Sequence, residues 1–185
     1  MTFQDYQELF EDILEGKIAA APYDDVHFVE YTKLNQSRKN RWLKKGTIDE
    51  KLKNVIEKIK NKQQWILITE PWCGDASHSV PFIAMLANLN QNINLDIQLR
   101  DSENSEIGNY LTNGSKSIPI LIVRNVDGKD IFRWGPRPAN CQQLFDDLRS
   151  KEVAFEELKK ALQDWYNQDK GLSLQEELLA FFCNL

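Results

Sequence analysis

The sequence predicts an α/β fold: a central mixed sheet of four strands flanked by helices, with helical extensions at both ends. Three observations lead there. Apolar residues recur at helical spacing through the first third of the chain, at Phe3, Tyr6, Leu9, Phe10, Ile13 and Leu14 and again at Ile48, Leu52, Val55, Ile56 and Ile59. From Trp65 onward, short apolar runs alternate with helical stretches. Asp127-Gly128 then joins two apolar runs too closely for anything but an antiparallel hairpin.

Taken in order, a helix over residues 3–14 stops at Gly16, and residues 19–25 form a loop around Pro22. Residues 26–45 read as helix ending at Gly46, with a strand as the alternative for the first part. Thr47-Ile48-Asp49-Glu50 has the form of a capping box, the Thr hydroxyl accepting from a first-turn amide while Glu50 reaches back. Trp65 to Thr69 is a short apolar run, as expected of a buried strand. A helix over 75–89 follows, then a strand over 93–100 alternating Ile93, Leu95, Ile97 and Leu99, and a short helix over 104–111. An apolar strand over 118–124 contains Pro119, and the hairpin returns through 131–134. Helices over 139–149, 153–167 and 173–182 complete the chain. Short βα connections require the first two strands to run parallel, and the Asp127-Gly128 turn requires the last two to run antiparallel. The expected organisation is a helical extension at 1–63, a core at 64–150 and a second helical extension at 151–185.

The chain of 185 residues carries net charge −5, yet residues 33–63 hold eleven Lys/Arg against Asp49, Glu50 and Glu57. Such a block is either a footprint for an anionic partner or the solvated face of lysine-rich helices. Trp42 is the one aromatic among these basic residues, so nucleic acid is not the expected partner. No apolar run approaches the ~20 residues of a membrane span, and the first residues lack a basic-then-apolar leader. Three widely spaced cysteines, Cys73, Cys141 and Cys183, point to a reducing, cytoplasmic setting instead of a disulfide scaffold. No Cys/His set has zinc spacing, and neither a metal nor another cofactor is expected.

The chemistry concentrates in Trp72-Cys73-Gly74-Asp75-Ala76, where an apolar strand turns into a helix, and in Ser117-Ile118-Pro119-Ile120-Leu121. A proline within a strand removes a ladder donor and needs a reason. Together with the hairpin ending at Gly135, these segments resemble the thioredoxin superfamily over residues 64–150, and in particular a poorly characterised bacterial branch with helices at both ends. The resemblance implies a thiol-disulfide oxidoreductase with Cys73 as the attacking sulfur and a cis proline at Pro119 beside it. The substrate groove would be made by Trp72, Gly74, Asp75, Ile118 and Pro119.

The chain departs from that pattern in three places. Ala76 stands where the resolving cysteine belongs, so a mixed disulfide at Cys73 has no neighbour within the motif to clear it. Leu67 replaces the buried carboxylate that would deprotonate that second thiol, and Asp75 replaces a proline and is expected to cap the helix. The resolving thiol is then external, or Cys141 or Cys183. A helix N-terminus favours the thiolate while Glu70 and Asp75 oppose it, so a modestly activated thiol is expected. His78, about 140° around the helix from Cys73, reads as a surface or packing residue. Arg137 either contacts an anionic ligand or makes a loop salt bridge. The expected activity is single-cysteine oxidoreduction of a protein or low-molecular-weight thiol or disulfide. The alternative is a redox-silent module binding peptide near Pro119. A cluster-binding monothiol glutaredoxin fits less well, because Glu70-Pro71 stands where a lysine would precede the motif.

Overall fold

The computed structural model describes residues 1–184. Seven α-helices and four strands follow the order α1 (Phe3–Leu14), α2 (Val26–Lys45), α3 (Glu50–Glu57), β1 (Gln63–Thr69), α4 (Ala76–Ala87), β2 (Ile93–Leu99), β3 (Ile120–Arg124), β4 (Asp130–Trp134), α5 (Ala139–Ser150), α6 (Phe155–Asp169) and α7 (Leu172–Phe182). A 3-10 turn, Glu106–Asn109, replaces the short helix expected before β3. The sheet order is β2-β1-β3-β4, with β1 parallel to β2 and the other two pairings antiparallel. No helix among the described residues is long and apolar enough to cross a membrane.

The first part of α2 is helix, not strand, and begins where Asp25 accepts from the His27 amide. The capping expected at Thr47 fails. Asp49, not Thr47, caps α3, its carboxylate accepting from the Lys51 and Leu52 amides at 2.9 and 3.0 Å. The capping box that does form lies at Thr2 and Asp5, opening α1. A carboxylate one residue from the first turn reaches two amides at once, which leaves the Thr47 hydroxyl no role there. Pro119 also stands just outside β3. Pairing begins at Ile120 opposite Ile68, so the missing proline N–H deprives no ladder position of a donor.

One core joins the sheet to the N-terminal helices and α7. Tyr6 and Phe10 of α1, Trp42 of α2, Leu52 and Ile56 of α3 and Leu178 and Phe182 of α7 are buried with Trp65, Leu67, Ile122 and Val123 of the sheet. Trp65 and Phe132 lie in one cross-strand row through Val123, and α7 covers that row with Phe182 stacked on Trp65 and Phe181 on Phe132. At the other edge of the sheet the Met1 backbone pairs with Ile97 of β2, covering that edge at one position. A second, smaller cluster holds α5 to α6 through Cys141, Leu158, Leu162 and Tyr166. Helix α4 is buried along almost its whole length, with α2 packed along it. Its N-terminus therefore emerges in a fixed place between α2, α6 and the loop before β3.

Candidate functional site

Cys73 closes the turn between β1 and α4. Its amide donates to the Glu70 carbonyl at 3.1 Å, and its carbonyl accepts from the Ser77 amide at 3.2 Å. The sulfur lies against the loop before β3, with Sγ–H donating to the Ile118 carbonyl at 3.4 Å. The Ile118–Pro119 bond is cis, as the superfamily resemblance implies. Gly135 fixes this loop from behind. It adopts φ +112°, and a Cβ there would lie 2.1 Å from the Pro119 carbonyl oxygen, so only glycine permits the approach. That packing brings Arg137, two residues on, to the α4 N-terminus.

Asp75 occupies the position before α4 but does not cap it. Its backbone is already helical, at φ −61° and ψ −38°, which turns the carboxylate away from the first-turn amides. The carboxylate instead pairs with Arg137 at 2.7 Å and accepts from the Tyr166 hydroxyl at 2.8 Å. Arg137 thus makes the salt bridge the sequence offered as one of its two roles. The Arg137 guanidinium also lies over the Phe145 ring and donates to Gln142.

His78 is buried, against the surface position allowed for it. Trp42 Nε1–H donates to its Nδ1 at 2.9 Å, so Nε2 carries the proton and donates to Gln163 Oε1 at 3.1 Å. The ring stacks on Tyr166 with centroids 4.4 Å apart, and burial holds its pKa down to about 3. His78 is a neutral strut between α2, α4 and α6. It neither carries charge to the sulfur nor serves as a base for it.

The thiol is not activated at rest. Cys73 is 7% exposed, and burial, with the Asp75 charge adding to it, pushes its pKa up to about 12. Arg137 and the amides of Ala76 and Asp75 pull the other way without prevailing. The helix N-terminus invoked for activation is therefore present, but a thiolate taken out of water costs more than those amides return. Glu70 is buried as well, and burial raises its carboxyl to about 7.

Around the sulfur lies a groove of about 780 Å³. Trp72, Cys73, Gly74, Asp75 and Ile118 form its floor, and Pro119 does not line it. The walls were not anticipated. Helix α2 contributes Phe28, Tyr31, Leu34 and Arg38, and α6 contributes Phe155, Leu158, Leu162 and Gln163 among others. The α2 residues recur at three- and four-residue intervals, which marks one helix face, but nothing in that spacing says what the face covers. Trp72 is held edge-on by Phe28 and overlain by the Arg100 guanidinium. Asn35 ties α2 to the motif by donating to the Pro71 carbonyl at 3.0 Å.

All three cysteines are free. Cys141 is buried in the cluster between α5 and α6, where burial pushes its thiol up to about 12, and Cys183 is exposed beyond α7.

A protein-family model described as Thioredoxin (Thioredoxin_9) matches residues 23–149, more than half of the chain and including α2 and α3. The fold is similar to the crystal structure of a protein of unknown function from Pseudomonas aeruginosa. That match has 16% identity over 84% of this chain and 85% of that one, with TM-score 0.52. It is also similar to an HIV epitope-scaffold, with 15% identity over 100% and 99% of the two chains and TM-score 0.58. At such identities the likeness concerns the fold alone. No curated protein matches the chain. The family match, the sheet topology and the cis proline facing a cysteine at a helix start agree, and the chain belongs to the thioredoxin-like family.

Proposed function

We propose that the protein is a monothiol oxidoreductase in which Cys73 exchanges with a disulfide bound in the groove. The observation that carries this reading is the position of Sγ, on the floor of a 780 Å³ groove and against the carbonyl that precedes cis-Pro119. With Ala76 in place of a second thiol, the mixed disulfide waits for an external thiol. Three free cysteines fit a reducing, cytoplasmic setting. The raised pKa shapes the chemistry. A thiol at about 12 is almost wholly protonated at neutral pH and resists generic reagents. A disulfide seated in the groove compensates through proximity, which multiplies the effective concentration of the reacting group. Burial then serves as selectivity.

The same pKa favours a second reading, a redox-silent module that binds its partner in the groove without covalent chemistry. Intact-mass spectrometry after incubation with small disulfides separates the two. Exposed Cys183 acts as the internal reference for a generic reagent such as iodoacetamide. The oxidoreductase reading expects iodoacetamide to label Cys183 far ahead of Cys73, while at least one disulfide adds to Cys73 and is removed by dithiothreitol. Cys73 untouched by every disulfide, in a protein whose Cys73→Ser variant functions normally, establishes the silent module.

A further inference from the structure

We infer that the groove receives a small anionic molecule with an apolar part, of the class of carboxylate-bearing low-molecular-weight disulfides, and not a protein segment. This rests on the oxidoreductase reading for its covalent step, but the recognition stands on the groove itself.

The groove is walled on both sides. Lys159 Nζ of α6 donates to the Tyr31 hydroxyl of α2 at 2.5 Å, and Arg41 of α2 donates to Asn167 of α6 at 2.7 Å. Tyr166 and Gln163 tie α6 to Asp75 and His78 at the start of α4. These bonds fix α6 beside the sulfur, and 780 Å³ is the size of a small-molecule site.

Charge selects the occupant. The lining carries six cations, Arg38, Arg100, Lys116, Arg137, Lys159 and Lys160, and two carboxylates, Asp75 and Glu156, in a chain of net charge −5. Four of the six have carboxylate partners: Arg100 with Asp101, Arg137 with Asp75, Lys159 with Glu156 and Lys160 with Asp164. Among the described residues Arg38 and Lys116 have none. Arg38 Nη1 lies 4.0 Å from where a Cβ on Gly74 would stand, directly beside the cysteine. Its hydrogen bond is to the neutral Asn35. Two further donors of lining side chains, Trp72 Nε1 and Arg137 Nε, are buried without a partner. Both nitrogens are enclosed by protein, so recognition rests on Arg38 and Lys116, the lining cations without a carboxylate partner among the described residues. At the rim, Leu34 and Phe155 are 46% and 67% exposed, an apolar surface for the rest of the ligand.

In the covalent step Cys73 Sγ attacks one sulfur of the bound disulfide RSSR. A Cys73–S–S–R bond forms as the R–S–S–R bond breaks, and the proton from Cys73 ends on the released RSH. A second thiol R′SH then attacks the R sulfur, leaving as RSSR′ and returning Cys73 to its protonated form. Electrons balance, since one disulfide is consumed and one formed.

The test uses three disulfides of different charge, glutathione disulfide (anionic), hydroxyethyl disulfide (neutral) and cystamine (cationic), on the full chain. The adduct rate at Cys73 is expected to be at least about tenfold higher for the anion than for the cation at low salt, with the gap closing as salt rises. Arg38→Gln and the exposed Lys116→Ala should each lower the ratio of the anion rate to the neutral rate several-fold. Equal rates for the three charges, or insensitivity to both variants, would overturn the inference while leaving the oxidoreductase reading intact. If no disulfide reacts, that reading fails separately. Calorimetry with unreactive S-hexylglutathione on Cys73→Ser then decides recognition alone: binding lost with Arg38→Gln upholds it, and absence of binding refutes it.

Discussion

Glu70 and Asp75 flank Cys73 in sequence and both are buried, yet they are opposite solutions to one problem. Asp75 is neutralised by Arg137 and by a tyrosine hydroxyl, both within 2.8 Å. Glu70 has one long hydrogen bond, from the Asp101 amide at 3.3 Å, and Arg100 nearby is bound to Asp101 instead. Desolvation therefore governs Glu70, whose carboxyl rises to about 7 and keeps its proton over much of the acid range. For Asp75, burial is the larger influence and the pKa is raised, with Arg137 and Tyr166 pulling it back. Of the two, Asp75 is the charge that adds to the Cys73 shift. Nearness in sequence thus says little about electrostatic nearness, and a partner offsets part of what burial costs a carboxylate.

The contrast is broken most severely by removing the partner. Arg137→Met leaves Asp75 buried and unpaired, and urea denaturation at pH 7 should register a loss of about 3–5 kcal/mol. The double variant Arg137→Met/Asp75→Asn should recover much of it. An Arg137→Met protein as stable as the parent would show that the pair is not what keeps Asp75 charged.

Glu70→Gln should act with the opposite sign. The folded-state pKa of about 7 lies above the ordinary 4.5, so below about pH 4.5 the carboxyl is protonated in both states and costs nothing. Between about 4.5 and 7 only the unfolded chain releases its proton, and stability falls as pH rises. Above 7 the penalty is constant at about 3 kcal/mol. The amide variant should therefore be more stable than the parent at pH 8 by up to about that amount and equal to it at pH 4. Parallel stability curves for the two proteins across this range would refute the assignment.

The smallest effect falls on the thiol. Asp75→Asn should shift the pH profile of Cys73 alkylation downward and speed the reaction a few-fold at pH 9, since it removes the charge that assists burial. Glu70→Gln should shift it less. A larger shift from Glu70→Gln would reverse the electrostatic ranking drawn from the structure.

Much of the fold was legible because its signals are local. The apolar run of β1, the alternation in β2 and the Asp127-Gly128 turn fix element types, and chain geometry then forces parallel and antiparallel pairings. Caps are less legible. Thr47 and Glu50 have the right letters, but Asp49 wins the amides through one dihedral choice that letters do not encode. At the site, the floor from Trp72 to Asp75 and Ile118 was visible as motif. The walls were not, because Arg38, Phe155 and Gln163 lie far from Cys73 in the chain and carry no motif of their own.

The sequence by itself determined the strand–cysteine–helix turn, the proline opposite it, and through Ala76 the loss of a second motif thiol. These are matters of residue identity and short-range geometry. The tertiary structure decided the state of the sulfur and the character of its surroundings. Burial is a sum over distant segments: α2 and α6 close over the start of α4, exclude water and raise the thiol pKa to about 12. The same closure gathers lining cations from five separate segments into one groove, and no window of the sequence contains that sum.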